Sequence, residues 1–265
     1  MTFAIKRSEA REDNRYGVLI FNYLLAILMS YGQLGGAHPL LPAQEGFLTF
    51  GLAGLNGILY MVSLFLLQYS IRKNGPPLTS TFNRLGVLIP TLASIFVFME
   101  RPSFPQGIGL ALAFGAILMI NGGESVKKGG SRLALLALLV LGGSIDLLSK
   151  IFHTYGNSAY TDHYMFYTFV VSFVIAVVLF IKEGQALTRS EVISGVLIGI
   201  PNQLCSLSLL KAAALLPAYF VFPVNSAGII LLVNLVNYFV FKEKLTSKEM
   251  GATGLIVLAL FFLNA

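Results

Sequence analysis

Three ionisable side chains stand inside long apolar runs of the sequence: Arg84, Asp146 and Lys150. A charge in the hydrocarbon core of a bilayer costs at least about 2.5 to 3.5 kcal/mol on insertion scales, so each one calls for a partner, a water-filled cavity or a function. Asp146 precedes Lys150 by four residues, which places both on one face of a helix in the favourable order for an ion pair. Two interpretations follow. In the first, Asp146 and Lys150 neutralise each other inside the helix bundle; in the second, Arg84, Asp146 and Lys150 line a cavity for a zwitterionic or anionic solute. An alternative for Arg84 is that its side chain extends to the cytoplasmic interface.

A second set of polar residues in the apolar runs is uncharged. Amides in membrane helices mostly bond to neighbouring helices, at roughly 0.6 to 2 kcal/mol each, and this interpretation suits most of the amides here. Three amides adjoin a glycine or proline that weakens a helix, and a weakened helix is tolerated in a membrane where it lines a cavity. Two tyrosines lie deep enough in their runs to face a solute. The resulting cavity candidates are Asn56, Asn202, Asn225, Tyr23 and Tyr167.

No pattern for catalysis or metal binding accompanies these residues. His38, His153 and His163 are scattered without metal-ligand spacing, and neither a Gly-rich phosphate loop nor a nucleophile with its base occurs in the apolar runs. The sequence therefore predicts no enzyme, no cofactor, no metal site and no coupling to ATP. Cys205, the single cysteine, is expected to be a buried packing residue.

The elements that must position the polar residues are membrane-spanning helices. With 56% hydrophobic residues, 11% charged residues and a mean hydropathy of +0.78, the 265-residue chain is more apolar than a soluble core requires. The net charge of +6 lies in short connections and not on a basic face with stacking aromatics, so the sequence does not predict nucleic-acid binding. We predict an all-α integral membrane protein whose surroundings are the lipid bilayer.

Nine apolar runs, bounded by glycine, proline or charged residues, predict about nine transmembrane helices, since a helix that crosses a bilayer needs roughly 20 mainly apolar residues. We letter them A (16–31), B (46–71), C (78–98), D (104–120), E (133–154), F (164–181), G (192–210), H (218–241) and I (251–263).

The Lys and Arg residues divide unequally between the two sides that nine spans define. Fourteen of the 18 fall on one side and only Arg101, Lys150 and Lys211 on the other, while Arg84 lies inside span C. Because cytoplasmic loops are rich in Lys and Arg, this division predicts a cytoplasmic amino end and an outer carboxyl end. The predicted location is the inner (cytoplasmic) membrane, crossed many times.

The second half of the chain echoes the first at an offset of about 143 residues. Residues 63–68 match 206–211, residues 83–86 match 225–228 and residues 96–100 match 239–243, so spans B, C and D correspond to G, H and I. Five spans separate the members of each pair, which reverses their direction. We predict two inverted-topology repeats, 1–121 and 132–265, with a solute site near the midplane, the plan of many secondary transporters.

Two further matches extend the repeat. Tyr23 aligns with Tyr167, which pairs span A with F, and Lys6 aligns with Lys150, which leaves span E only residues 1–5 as a counterpart. The predicted parent plan is therefore five plus five helices with the first helix largely missing. Glu100 and Glu243, which end spans C and H, are interpreted as end caps and not as proton carriers.

The predicted halves are inverted, and in each half one helix ends in a repeated motif, at residues 96–100 or 239–243. A polar turn and a Gly-bearing last helix follow each motif. This arrangement resembles the drug/metabolite transporter superfamily in its EamA-like branch. The resemblance covers essentially the whole chain and includes residues 83–90, 222–225 and 146–150. It implies a ten-helix carrier with a central cavity and no cofactor.

The leading functional hypothesis is a secondary transporter that moves a small organic metabolite, an amino-acid-like or other zwitterionic or anionic solute, across the cytoplasmic membrane. A lipid-linked or nucleotide-sugar translocator is an alternative. A third hypothesis is an accessory membrane subunit without transport activity of its own. Association into a homo-oligomer is left open, as are the substrate, the direction of transport and any coupling to protons.

Overall fold

The structure, a computed structural model, describes residues 14–74, 76–121, 130–184, 186–239, 242 and 246–264. Within these residues every regular element is helical. In chain order they are α1 (Arg15–Gln33), α2 (Ala43–Asn74), α3 (Pro76–Leu85), α4 (Leu88–Phe96), α5 (Phe104–Asn121), α6 (Arg132–Tyr155), a 3₁₀ turn (Ser158–Tyr160), α7 (Thr161–Glu183), α8 (Arg189–Leu215), α9 (Ala218–Phe239) and α10 (Ser247–Leu263).

Helix ends follow local sequence signals. Asn14 begins α1, and its side-chain oxygen accepts the N–H of Tyr16 at 2.9 Å. Thr246 and Glu249 form a reciprocal capping box at the start of α10. Helix α7 ends at Gly184, whose φ of 68° is a left-handed conformation that glycine adopts without steric cost.

Each predicted run overlaps a helix in the described part of the chain. Six helical segments are long and apolar enough to cross a membrane by length and composition, and residues Phe104–Met119 form a shorter apolar helix. The six are Arg15–Gln33, Gly46–Ile71, Arg132–Tyr155, Ser158–Glu183, Arg189–Leu215 and Ala218–Val236. The protein is thus helical, with several long apolar helices compatible with a membrane protein, as predicted. Lys6, Glu243 and the predicted remnant of a first helix (1–5) lie outside the described residues.

Span C departs from the prediction of one continuous helix, because α3 ends at Leu85 and α4 begins at Leu88. Pro90 has no N–H to donate to the carbonyl of Gly86, so the regular helical ladder cannot cross this point. The chain instead makes tight three-residue turns, in which Val87 N–H donates to the Arg84 carbonyl at 3.2 Å and Ile89 N–H to Gly86 at 3.0 Å. By contrast, α8 and α9 continue through their internal prolines.

The described chain divides into two compact units. The first comprises the described residues of Met1–Val62 together with Ile151–Lys211, and the second comprises those of Ser63–Lys150 and Ala212–Ala265. The first unit contains α1, α7 and large parts of α2 and α8, whereas the second contains α3, α4, α5, α9, α10 and most of α6. Each unit therefore contains residues from both predicted repeats, 1–121 and 132–265.

In the first unit, two glycines 142 residues apart make equivalent close packings. A Cβ atom at Gly57 of α2 would lie 2.7 Å from the Thr168 carbonyl oxygen of α7. A Cβ atom at Gly199 of α8 would lie 2.9 Å from the Asn22 carbonyl oxygen of α1. Because the sequence repeat pairs α2 with α8 and α7 with α1, the two contacts match.

The second unit also packs its helices through glycines. Helices α5 and α10 are antiparallel, and a Cβ atom at Gly109 would lie 2.9 Å from the Ala259 carbonyl oxygen. Helix α6 touches the interruption of span C, where a Cβ atom at Gly86 would lie 2.9 Å from both the Gly143 nitrogen and the Leu139 carbonyl oxygen. The backbones of span C and α6 are therefore in contact.

A left-handed backbone marks equivalent points of the sequence repeat. Met99 has a φ of 56° and Lys242 a φ of 55°, and no other non-glycine residue in the described ranges has a positive φ. This conformation costs an L-residue roughly 1 to 2 kcal/mol and persists where the surroundings enforce it. Each of the two residues directly precedes the glutamate that closes a repeated motif, Glu100 or Glu243.

Candidate functional site

Arg84 lies in the last turn of α3, directly before the interruption of span C. The partial negative charge at the end of a helix favours a cation there. The side chain is half-buried, and among the described residues no carboxylate lies within 4 Å of its guanidinium. The preceding residue, Asn83, turns its side-chain oxygen to α6, 3.2 Å from where a Cβ atom of Gly142 would lie.

Asp146 lies on α6, three residues after the contact between Gly143 and Gly86. Its side chain is half-buried and makes neither an ion pair nor a hydrogen bond with any described residue. Arg84 precedes Gly86 by two residues, so the backbone positions of Arg84 and Asp146 are offset by roughly 8 Å along the helix axes, at about 1.5 Å per residue. Arg84 and Asp146, neither of which has an ionic partner among the described residues, therefore lie on two helices of the second unit that touch.

Lys150 pairs with Glu100 and not with Asp146, so the predicted i, i+4 ion pair is wrong. Its Nζ atom lies 2.5 Å from Oε1 of Glu100, and it also lies over the ring of Phe98 at 5.7 Å from the ring centre. Both charged side chains are largely buried, at 13% and 16% exposure. The loop from α4 to α5 brings Glu100 to the end of α6, which the sequence spacing could not reveal.

Glu100 also caps a helix. Its carboxylate accepts the N–H of Ala218 at 2.9 Å and a hydrogen bond from the hydroxyl of Ser94. The oxygen of Ser94 in turn accepts the N–H of Tyr219 at 3.1 Å. These bonds satisfy two of the free N–H groups at the start of α9. Glu100 is thus a cap, as interpreted, but of α9 instead of its own span.

The ionisation of Glu100 is set by two opposing effects. Its partial burial disfavours the charged form and acts to raise the pKa. The hydrogen bonds from Lys150 and Ser94, the charge of Lys150 and the N–H of Ala218 act in the other direction and hold the pKa of the carboxyl below its ordinary value. Glu100 is therefore ionised at neutral pH.

Amides join helices within both units. In the first unit, Asn202 of α8 donates to the side chain of Asn22 on α1 at 3.4 Å, and Gln203 donates to the hydroxyl of Ser30 at 2.6 Å. Gln203 therefore joins two helices, as expected for most of the amides, and so does Asn234 in the second unit, which donates to Thr253 at 3.0 Å. Asn202, predicted to line a cavity, instead bonds to a neighbouring helix.

Asn56 stands apart from the paired amides. It is buried, and its side-chain oxygen has no hydrogen-bond partner in the described part of the chain. Such an oxygen is an acceptor held away from water, which costs roughly 1 to 3 kcal/mol unless a water or a solute reaches it.

The two candidate tyrosines have different surroundings. The hydroxyl of Tyr167 donates to the Pro39 carbonyl at 2.9 Å and accepts the N–H of Leu41 at 3.0 Å, which ties the loop between α1 and α2 to α7. Tyr23 is buried, with its ring centre 6.1 Å from that of Phe169. Tyr167 therefore serves to anchor a loop.

The predicted cavity residues fall into two groups. Asn225, on α9, is half-buried and makes no hydrogen bond with a described residue. It belongs to the second unit with Arg84, Asp146 and Lys150, and the first unit holds the other four, which are Tyr23, Asn56, Tyr167 and Asn202.

Two predictions about single residues change with the structure. Cys205 is exposed, because it lies on an outward face of α8, so its expected burial is wrong. Lys211 forms an ion pair with Asp162 at 3.7 Å. Within the described residues, no group of three or more His, Cys, Asp or Glu side chains could hold a metal ion.

Comparison with known proteins adds a distant relative and a shared fold. No family model matches the chain. An uncharacterized protein of Haemophilus influenzae is 26% identical over 239 residues, with 86% of this chain and 81% of that protein covered. A crystal structure, described only as that of a protein, superposes with a TM-score of 0.70 over 94% of this chain and 86% of the other, at 16% identity. At that identity the likeness concerns the fold alone.

Proposed function

We propose that this chain is a secondary carrier that moves a small zwitterionic or anionic metabolite across the cytoplasmic membrane. The observation that carries the proposal is the interrupted span C, with Arg84 at the interruption and Asp146 on the helix that packs against it. Irregular backbone at membrane depth is tolerated where it lines a cavity, and interrupted helices form the solute sites of many transporters.

The charges define the chemistry of the solute. Neither Arg84 nor Asp146 has an ionic partner among the described residues, and each would be costly in hydrocarbon. A solute with a carboxylate and an ammonium group satisfies both, because guanidinium binds carboxylate in two parallel hydrogen bonds and Asp146 accepts from ammonium. Asn83, the residue before Arg84, would supply a further hydrogen bond.

The proposal includes membership of the EamA-like branch of the drug/metabolite transporters, with an inverted repeat. Its support is the shared left-handed backbone at Met99 and Lys242 and the matched packing of Gly57 and Gly199. The division of Lys and Arg between loops supports an amino end in the cytoplasm.

A transport screen tests the carrier proposal. Membrane vesicles that contain the chain, in both orientations and at two pH gradients, are supplied with amino acids and small organic anions. We expect at least one of these solutes to be transported, and Arg84→Ala and Asp146→Asn each to lower its rate at least tenfold while membrane insertion persists.

Matched controls remove the same charges elsewhere. Arg101→Ala, at an exposed loop position, and Asp162→Asn, in a partly exposed ion pair, should leave the rate within about twofold. Unchanged rates in both cavity variants, or no transport of any tested solute by the wild type, would contradict the proposal and favour an accessory subunit.

A further inference from the structure

The loop between α1 and α2 is tied to one turn of α7. His163 and Tyr167 lie four residues apart on α7, which places their side chains on one face of the helix. Nε2 of His163 lies 3.1 Å from the His38 carbonyl oxygen, and because a carbonyl only accepts, Nε2–H is the donor. The hydroxyl of Tyr167 adds its bonds to Pro39 and Leu41, so three hydrogen bonds hold four consecutive residues.

Residues 38–41, the strap, are held to α7 by polar contacts. Leu40 is 70% exposed, and the side chain of His38 is exposed as well. Nδ1 of His38 accepts the N–H of Leu40 at 3.1 Å, a bond within the strap that does not fasten it to α7. A surface segment held mainly by hydrogen bonds opens locally at low cost in free energy while the rest of the protein stays folded. The bonds to His163 and Tyr167 therefore control whether the strap is closed.

Buried polar atoms without partners lie next to the strap. Nδ1 of His163 is one of them, since it has no hydrogen-bond partner among the described residues. The hydroxyl of Thr168, the residue after Tyr167, is another, and its side chain is only 1% exposed. A buried polar atom that lacks a partner is costly, and a water molecule that reaches it removes that cost.

Helix α2 brings a third such atom to the same contact between helices. Gly57 of α2 packs so closely on α7 that a Cβ atom there would lie 2.7 Å from the Thr168 carbonyl oxygen. Asn56, the residue before Gly57, is 3% exposed and holds the side-chain oxygen that has no described partner. Nearer the strap, the ring of Phe50 on α2 meets that of Tyr167 at 5.5 Å. Asn56 lies roughly 9 Å further along α2 at about 1.5 Å per residue, within two helical turns of the strap.

We propose that the strap is a lid on the first unit, and that its release admits water to the contact between α2 and α7 at Asn56 and Thr168. When the strap opens, its bonds to His163 and Tyr167 are exchanged for bonds to water. In return, Asn56 and Thr168 gain partners that the described chain does not give them while the strap is closed. The lid lies within the first unit and does not depend on the solute site proposed in the second.

Cysteine labelling tests the lid, since Cys205 is the single cysteine and is readily replaced. In a Cys205→Ser background, Thr168→Cys is treated with a charged methanethiosulfonate reagent in membrane fragments that expose both faces. Tyr167→Phe keeps the aromatic ring but removes two of the three bonds that hold the strap, so we expect labelling at position 168 to become at least tenfold faster. Tyr31→Phe removes a hydroxyl from an exposed tyrosine of α1 and, as the matched control, should leave the rate within about twofold.

A deeper position on the same helix separates opening of the lid from unfolding. Ala176 lies about two turns beyond Thr168 and is fully buried, so Ala176→Cys should stay slow to react with the strap closed or released. Equal labelling at position 168 in Tyr167→Phe and Tyr31→Phe would overturn the proposal. Equal acceleration at positions 168 and 176 would also overturn it, because the whole unit would then be opening.

Hydrogen exchange gives a second measurement that needs no cysteine. The Leu41 amide donates to the Tyr167 hydroxyl, so it should exchange at least tenfold faster in Tyr167→Phe, while the amides of α7 keep their wild-type rates. An unchanged rate at Leu41 would contradict the proposal, because the tyrosine would then not hold the strap closed.

Discussion

Glycines that align in the sequence repeat have different surroundings in the two compact units. In the first unit both members of a pair are packed, Gly57 on α7 and Gly199 on α1. In the second unit Gly86 is packed on α6, while Gly228 meets no described neighbour. Among the described residues, the aligned glycines are therefore both packed in the first unit, whereas only Gly86 is packed in the second.

The units also differ in their polar groups. The amides of α1 and α8 in the first unit bond each other across the helix contact, as Asn202 does with Asn22. In the second unit Arg84 and Asp146 make no ion pair with a described residue, although they lie on helices that touch. The bonded amides hold helices together, whereas the two charges without ionic partners are the basis of the proposed solute site.

The largest expected effect is the difference in the free energy of unfolding between Gly86→Leu and Gly228→Leu. The first substitution forces a side chain into the backbone of α6 and should lower the free energy of unfolding by about 3 kcal/mol or prevent folding. The second should change it by less than about 0.5 kcal/mol. Melting of the detergent-solubilised protein measures both changes in stability. Equal changes would contradict the difference in packing between Gly86 and Gly228.

In the first unit, substitutions at the two packed glycines should instead lower the free energy of unfolding equally. Gly57→Ala and Gly199→Ala each place a Cβ atom against a carbonyl oxygen of a neighbouring helix, and each should destabilise by about 1 to 3 kcal/mol. The same melting experiment applies. A large loss at one position and none at the other would show that the matched contacts are coincidental.

Glu100→Gln should destabilise the second unit by about 1 to 2 kcal/mol at pH 7, because the charge-assisted bonds to Lys150 and to the start of α9 are lost. The folded protein lowers the pKa of this carboxyl, so its contribution is fully present above the ordinary value of 4.5 and disappears as the pH falls through the lowered value. Melting temperatures of wild type and variant should therefore converge below pH 4.5. A gap that is constant with pH would contradict the ionic role.

The smallest effect is expected at Gln203. Gln203→Leu removes the hydrogen bond to Ser30 and should cost roughly 0.6 to 2 kcal/mol, the usual range for interhelical bonds in membranes. Cys205→Ser, two residues further along α8 and exposed, is the matched control and should be neutral within about 0.5 kcal/mol. A Gln203 variant as stable as this control would mean that the amide does not hold α8 to α1.

The positions of the helices could be predicted from the sequence, because long apolar runs directly record burial in lipid or protein. The interruption of span C was missed, although Gly86 followed by Pro90 carried the signal. Prolines 201 and 223 lie inside continuous helices, as the predicted spans G and H require. Local sequence does not reveal whether neighbours hold a helix together across a proline.

The candidate site was only partly predictable. The cost of burial identified Arg84 and Asp146 directly from residue type. The partner of Lys150 was not predictable from spacing, because Glu100 reaches it from a loop 50 residues away in sequence, and the same holds for the capping of α9 by Glu100 and Ser94. The repeated motif that ends in Glu100 was the available signal for its importance.

The central proposal, that Arg84 and Asp146 bind a solute, requires that water reaches Asp146, and cysteine accessibility tests this requirement. In intact membranes of a Cys205→Ser background, Asp146→Cys is treated with a charged methanethiosulfonate reagent, which reacts with thiols only in water. Val140→Cys on the same helix, 52% exposed and flanked by apolar residues, is the control. We predict rapid labelling at position 146 and at least tenfold slower labelling at position 140. Equal rates, or no reaction at position 146, would contradict the account.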